Sequence, residues 1–206
     1  MTMKIAVSVM LVFLVCLAFG SGGCLMEKKV IEVVVTGETC AEFGEDHDSP
    51  MFTTPAMVDY AGEIDRILQD NDLDRSDIEK AAVTSAWYTV TDFTQSTNWL
   101  ITGEITVARN DVPSGTATVI EYTNQSIPAA LGVNVWATLN SAGVDLLNQA
   151  LSDYISGGAY PVMTFTVANG SVTPTPDPDN RMIFTWQACI KMQIVVKEDV
   201  ELPQLF

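Results

Sequence analysis

From Ile183 to Val196 the chain alternates strictly between two kinds of side chain. Phe184, Trp186, Ala188, Ile190, Met192, Ile194 and Val196 fall on one side, and Thr185, Gln187, Cys189, Lys191 and Gln193 on the other. Successive residues of a strand point to opposite faces, so this segment is a strand with one buried and one wet face. Antiparallel sheets tolerate one solvated side, and that directs the whole chain toward such a sheet.

Other segments agree. Val30–Gly37 is rich in β-branched residues and predicts a first strand, followed by an acidic loop over 38–55. Period-two patterning over Ile78–Phe93 puts Ile78, Ala82, Ala86, Tyr88 and Val90 on one face, with Val83 and Trp87 on the other. Ile101–Arg109, Thr116–Thr123, Gly132–Leu139 and Pro161–Val167 are further strands, bounded by turn-rich segments. Asn124 and Asn169, which begin glycosylation-like triplets, are assigned to turns. Thr173–Asp179 is a stiff, proline-rich loop. Two stretches have helical spacing instead, Ala56–Asp70 and Ala142–Ser156. The expected fold is mainly β, an antiparallel β-sandwich of immunoglobulin-like size with two amphipathic helices.

The opening residues carry an address. Lys4 precedes an apolar run from Ile5 to Phe19, shorter than the ~20 residues a membrane-spanning helix needs. Such a run followed by small residues reads as a secretory signal over 1–23, with a retained anchor as the alternative. Ser21-Gly22-Gly23-Cys24 resembles the lipobox of bacterial lipoproteins. That resemblance implies lipidation of Cys24, a short linker over 24–29, a single domain over 30–206 and attachment to a membrane through the lipid. With Leu25 following the cysteine, it implies an outer-membrane or cell-surface location. Ala18-Phe19-Gly20 would instead serve an ordinary signal peptidase and release a periplasmic or secreted protein.

Charge narrows the partners. All 26 acidic residues lie beyond residue 23 with nine of the ten basic ones, so the mature chain carries −17. Without any Lys/Arg cluster, such a surface repels nucleic acid. Cys16 leaves with the signal and Cys24 takes the lipid, leaving Cys40 and Cys189. In an oxidising compartment these two, Cys40 just beyond the first strand and Cys189 on the last, are expected to form a disulfide, with two unpaired thiols as the alternative.

Candidate chemistry is sparse. Asp70, Asp72 and Asp74 alternate as at the start of calcium loops. Arg75 stands where such a loop turns on glycine, and Ala81 where it ends on glutamate. His47, the lone histidine, sits among Glu45, Asp46 and Asp48 with no nucleophile elbow in the chain. A hydrolase would have to draw its carboxylates from the 42–48 or 70–79 loops. Trp186 shares the apolar face of its strand and belongs in the core. Trp87 and Trp136 are out of phase with their apolar neighbours. Either a helix covers their face, or they form a platform for a glycan or protein partner. No cofactor is expected beyond the calcium candidate. The sequence points to a non-catalytic, envelope-anchored binding or structural module.

Overall fold

The computed structural model describes residues 26–111, 115–158 and 162–203. The signal segment, Cys16 and Cys24 lie outside them. The strands are β1 (Met26–His47), β2 (Met51–Val58), β3 (Ile78–Asp92), β4 (Leu100–Arg109), β5 (Thr116–Ser126), β6 (Val135–Ala137), β7 (Met163–Thr173) and β8 (Met182–Pro203). They form two antiparallel four-stranded sheets, β1-β8-β3-β6 (sheet I) and β2-β7-β4-β5 (sheet II). The protein is thus a mainly β sandwich. The helices are α1 (Tyr60–Asp70), the single turn α2 (Ile127–Ala130) and α3 (Ser141–Ile155), with a 3-10 turn at Arg75–Asp77. Among the described residues no helix is long and apolar enough to cross a membrane.

The chain separates into two compact units, residues 1–31 with 198–206, and Glu32–Lys197. The first is described only through the outer ends of β1 and β8. The second holds the buried core, both long helices and the disulfide.

Facing residues of the two sheets build the core. Trp186 of β8 meets Phe43 of β1 at 5.0 Å between ring centroids and Tyr122 of β5, edge-on, at 5.7 Å. Ile105 of β4 stands opposite Ile120 on one side and Val167 on the other, and all three are buried. Trp99 is fully buried in the β3–β4 connection, where no periodicity marks it. Its indole donates to Gln95, which also bonds the backbone of Arg181 and Ile183.

Both long helices pack against sheet I, α1 at its edge strand β1 and α3 at β3. Ile67 of α1 occupies the space above Gly37 of β1, where a Cβ would come within 1.8 Å of its Cδ1. On α3, Asn148 accepts from the Val83 amide at 2.8 Å. At Gly143 of the same helix a Cβ would lie 2.3 Å from the Thr118 carbonyl oxygen, so α3 also touches β5. Arg109, buried at the end of β4, bonds Asp111 and the Asp153 carboxylate of α3. Those charge-assisted bonds, Asp111's first, hold its guanidinium above the usual arginine range.

Several boundaries differ from expectation. The acidic segment is not a loop: β1 runs on to His47 and β2 occupies Met51–Val58. Thr39, Ala41, Phe43 and Glu45 point inward there, and two polar members hide the alternation. Helix α1 starts only at Tyr60, with Asp59 accepting from the Gly62 amide at 2.9 Å. Met57 therefore belongs to β2 and is exposed. In β3 a register shift between Val83 and Ser85 moves Val83 onto the core face. Asn124 and Asn169 have positive φ, but they sit within β5 and β7, which continue past them. The strand expected over 132–139 shrinks to Val135–Ala137.

Candidate functional site

The outward positions of sheet I form a transverse row. Trp87 of β3 is the backbone partner of Trp136 of β6, and on its other side of Cys189 of β8. Cys189 is disulfide-bonded to Cys40 of β1, with the Cα atoms 4.0 Å apart. One line across the sheet thus reads Cys40, Cys189, Trp87, Trp136. The expected disulfide is present, with Cys40 inside the first strand instead of just beyond it.

The two indoles are exposed differently. Trp136 sits on a three-residue edge strand and is 65% exposed. Trp87 is half-buried, and its Nε1 donates to Glu38 Oε2 at 2.8 Å. Glu38 lies on β1, two strands away, and adjacent strands are ~4.8 Å apart. The indole must therefore lie along the sheet, across β8. That accounts for Cys189 being 0% exposed on an otherwise wet face. A helix was one expected cover for this face, but α3 packs against the other side of β3, and α1 reaches only the β1 edge of the sheet, where Arg66, Asp70 and Asn71 come beside Glu38 and Lys191.

Side-chain pairs extend the register on the same face. Gln187 donates to Glu42 at 3.1 Å, and Arg181 bonds Asp46 and Asp48 at 2.6 and 2.8 Å. Antiparallel pairing about Cys40–Cys189 puts Glu38 opposite Lys191. Both line an open groove of about 360 Å³ with Thr36, Arg66, Asp70 and Asn71, floored by Gly37 and Ile67. Each cation there has an acid within reach of its head group or on the facing wall. Arg66 bonds Asp70 at 2.8 Å and also Glu63.

The other candidates are dispersed or occupied. Asp70, Asp72 and Asp74 do not converge. Asp70 faces Arg66, Asp72 adopts φ 54°, and Asp74 donates its amide to Asp77 at the 3-10 turn. These acids shape a helix exit and a cap. Among the described residues, one trio gathers possible metal-ligand atoms, Glu38 with Cys40 and Cys189, and its sulfurs are spent in the disulfide.

Glu45 is not a loop acid. It is 2% exposed and accepts from Trp186 Nε1 at 3.0 Å and Thr54 Oγ1 at 2.6 Å, with His47 Nε2 at 2.6 Å. His47 stacks on Phe52 at 4.8 Å. Three donors compensate a carboxylate that burial would otherwise penalise heavily. Burial pushes the neighbouring Tyr122 phenol upward, and the Glu45 charge adds to the shift. Within the 42–48 segment, Glu42, Asp46 and Asp48 are engaged by Gln187 and Arg181. That segment presents no pair of free carboxylates across a cleft.

Glu38, Lys191, Arg66 and Asn71 escaped the sequence reading. Glu38 and Lys191 were accessible in principle, each lying two residues from a paired cysteine on the same face. The α1 residues reach the groove only through tertiary packing. No protein-family model matches the chain, and no curated protein matches it.

Proposed function

We propose that this protein is a non-catalytic binding module, exported by residues 1–23, tethered by a lipid on Cys24, and working through the outer face of sheet I. One observation carries the reading: two tryptophans adjacent in register on an uncovered sheet face, one of them 65% exposed. Exposed aromatic anchors of this kind are the common centres of recognition surfaces. The Cys40–Cys189 disulfide fits an oxidising compartment. The engagement of the 42–48 and 70–79 acids in pairs, caps and the core favours binding over hydrolysis.

The anchor is tested by Cys24→Ser, which should move the protein from membranes to the soluble fraction. An intact mass for the wild-type protein that shows an unmodified chain starting at Ser21 would sink lipidation. The surface is tested by photo-crosslinking in the intact envelope. A benzophenone side chain in place of exposed Thr138, beside Trp136, should give adducts. The same group in place of exposed Met57 on sheet II should not. Equal labelling, or none from position 138, removes the outer face as the working surface.

A further inference from the structure

We infer that the strip from Trp136 through Trp87 to the Glu38–Lys191 groove binds a neutral oligosaccharide. The inference rests on the outer face of sheet I being the binding surface, and adds the chemistry of its ligand. Three features select that chemistry. The first is shape: Trp87 lies along the sheet, held by Glu38, with Trp136 beside it. Flat indole faces match the C–H face of a sugar ring, leaving the hydroxyls directed sideways. The strip crosses all four strands of sheet I, so it is long enough for several sugar rings.

The second feature is the donor set. Glu38 and Asp70 accept, Lys191 and Arg66 donate, and Thr36 and Asn71 can do either. A polyol offers a donor and an acceptor at each hydroxyl and can use such a mixture in full. An anionic ligand would need cations not already balanced by acids. Arg66 is bonded to Asp70 and Glu63, and Lys191 stands opposite Glu38. The third feature is the formal charge of −16, which disfavours uronates, sulfated glycans and nucleic acids at long range. The face is also open and polar between its aromatics, unlike the enclosed apolar pockets that take lipids or small hydrophobic molecules.

The test is an array of neutral and anionic oligosaccharides probed with the mature protein and its Trp136→Ala variant, followed by titration of tryptophan emission. Trp99 and Trp186 are 0% and 1% exposed, so a saturable emission change reports on Trp87 and Trp136. At least one neutral oligosaccharide should bind, and hexagalacturonate should not. Trp136→Ala should weaken binding roughly tenfold or more with an unchanged unfolding midpoint. Lys191→Ala should weaken it as well. Absence of any neutral ligand, equal binding of hexagalacturonate, or binding indifferent to Trp136→Ala would each overturn the proposal. If the sugars fail while the Thr138 crosslinker captures a protein, the glycan is wrong and the surface stands. If both fail, the surface falls too.

Discussion

Trp186→Ala is expected to destabilise the domain by about 3–5 kcal/mol, a large share of the 5–15 kcal/mol that holds a typical domain folded. Trp186 is 1% exposed and touches aromatic rings from both sheets, Phe43, Phe184 and Tyr88 on one side and Tyr122 on the other. Truncation leaves a cavity between the sheets that neither can close without moving its backbone. It also removes a hydrogen bond from buried Glu45. Trp186→Phe separates the two effects. It keeps most of the packing and loses the donor, so its cost should fall near 1–3 kcal/mol. Trp136→Ala should stay within about 0.5 kcal/mol of wild type, as exposed substitutions do. Urea unfolding of the three variants gives the comparison. A loss at Trp186→Ala no larger than at Trp136→Ala would mean that the sandwich is not organised around this ring.

Opening the Cys40–Cys189 bond should cost nearly as much. It spans 149 residues. A loop of that length corresponds to about 5 kcal/mol in the chain-entropy treatment, and removal of native disulfides costs roughly 2–5 kcal/mol. A Cys40→Ala, Cys189→Ala variant should therefore unfold at clearly lower urea, and reductant should shift the wild type in the same direction. The bond also lies under the indole of Trp87, so the emission of that residue should change in the native state. Two alkylatable thiols in the non-reduced mature protein would end this prediction outright.

What could be read from the chain before its structure divides along physical lines. The alternation of β8 and the stripes of α1 and α3 were legible, because burial on one face leaves a simple period. Residues 38–58 were not, because inward Thr39 and Glu45 imitate loop composition, and Glu45 is acceptable inside only through Trp186, Thr54 and His47. Val83 was assigned to the wrong face of β3, because the register shift between it and Ser85 changes phase without leaving a mark in the sequence, while Ala86, Tyr88, Val90 and Trp87 keep the faces expected of them. The disulfide could be anticipated from compartment and strand order. The adjacency of Trp87 and Trp136 could not, since nothing local records which residues of two strands stand opposite each other. The groove beside Glu38 was further out of reach, being assembled from β1, β8 and α1.

Strand order also bears on when the fold can form. β8 follows every other described strand in the chain, yet sheet I has it between β1 and β3. As the polypeptide emerges from the ribosome, β1 has no neighbour in that sheet until residues 182–203 arrive. Trp186, the ring that joins the two sheets, comes with them. Contacts of such long separation are slow to form, and here they are also last to become available. A chain still lacking its final strand cannot close its core, so the order of synthesis itself defers folding until nearly the whole polypeptide has been made.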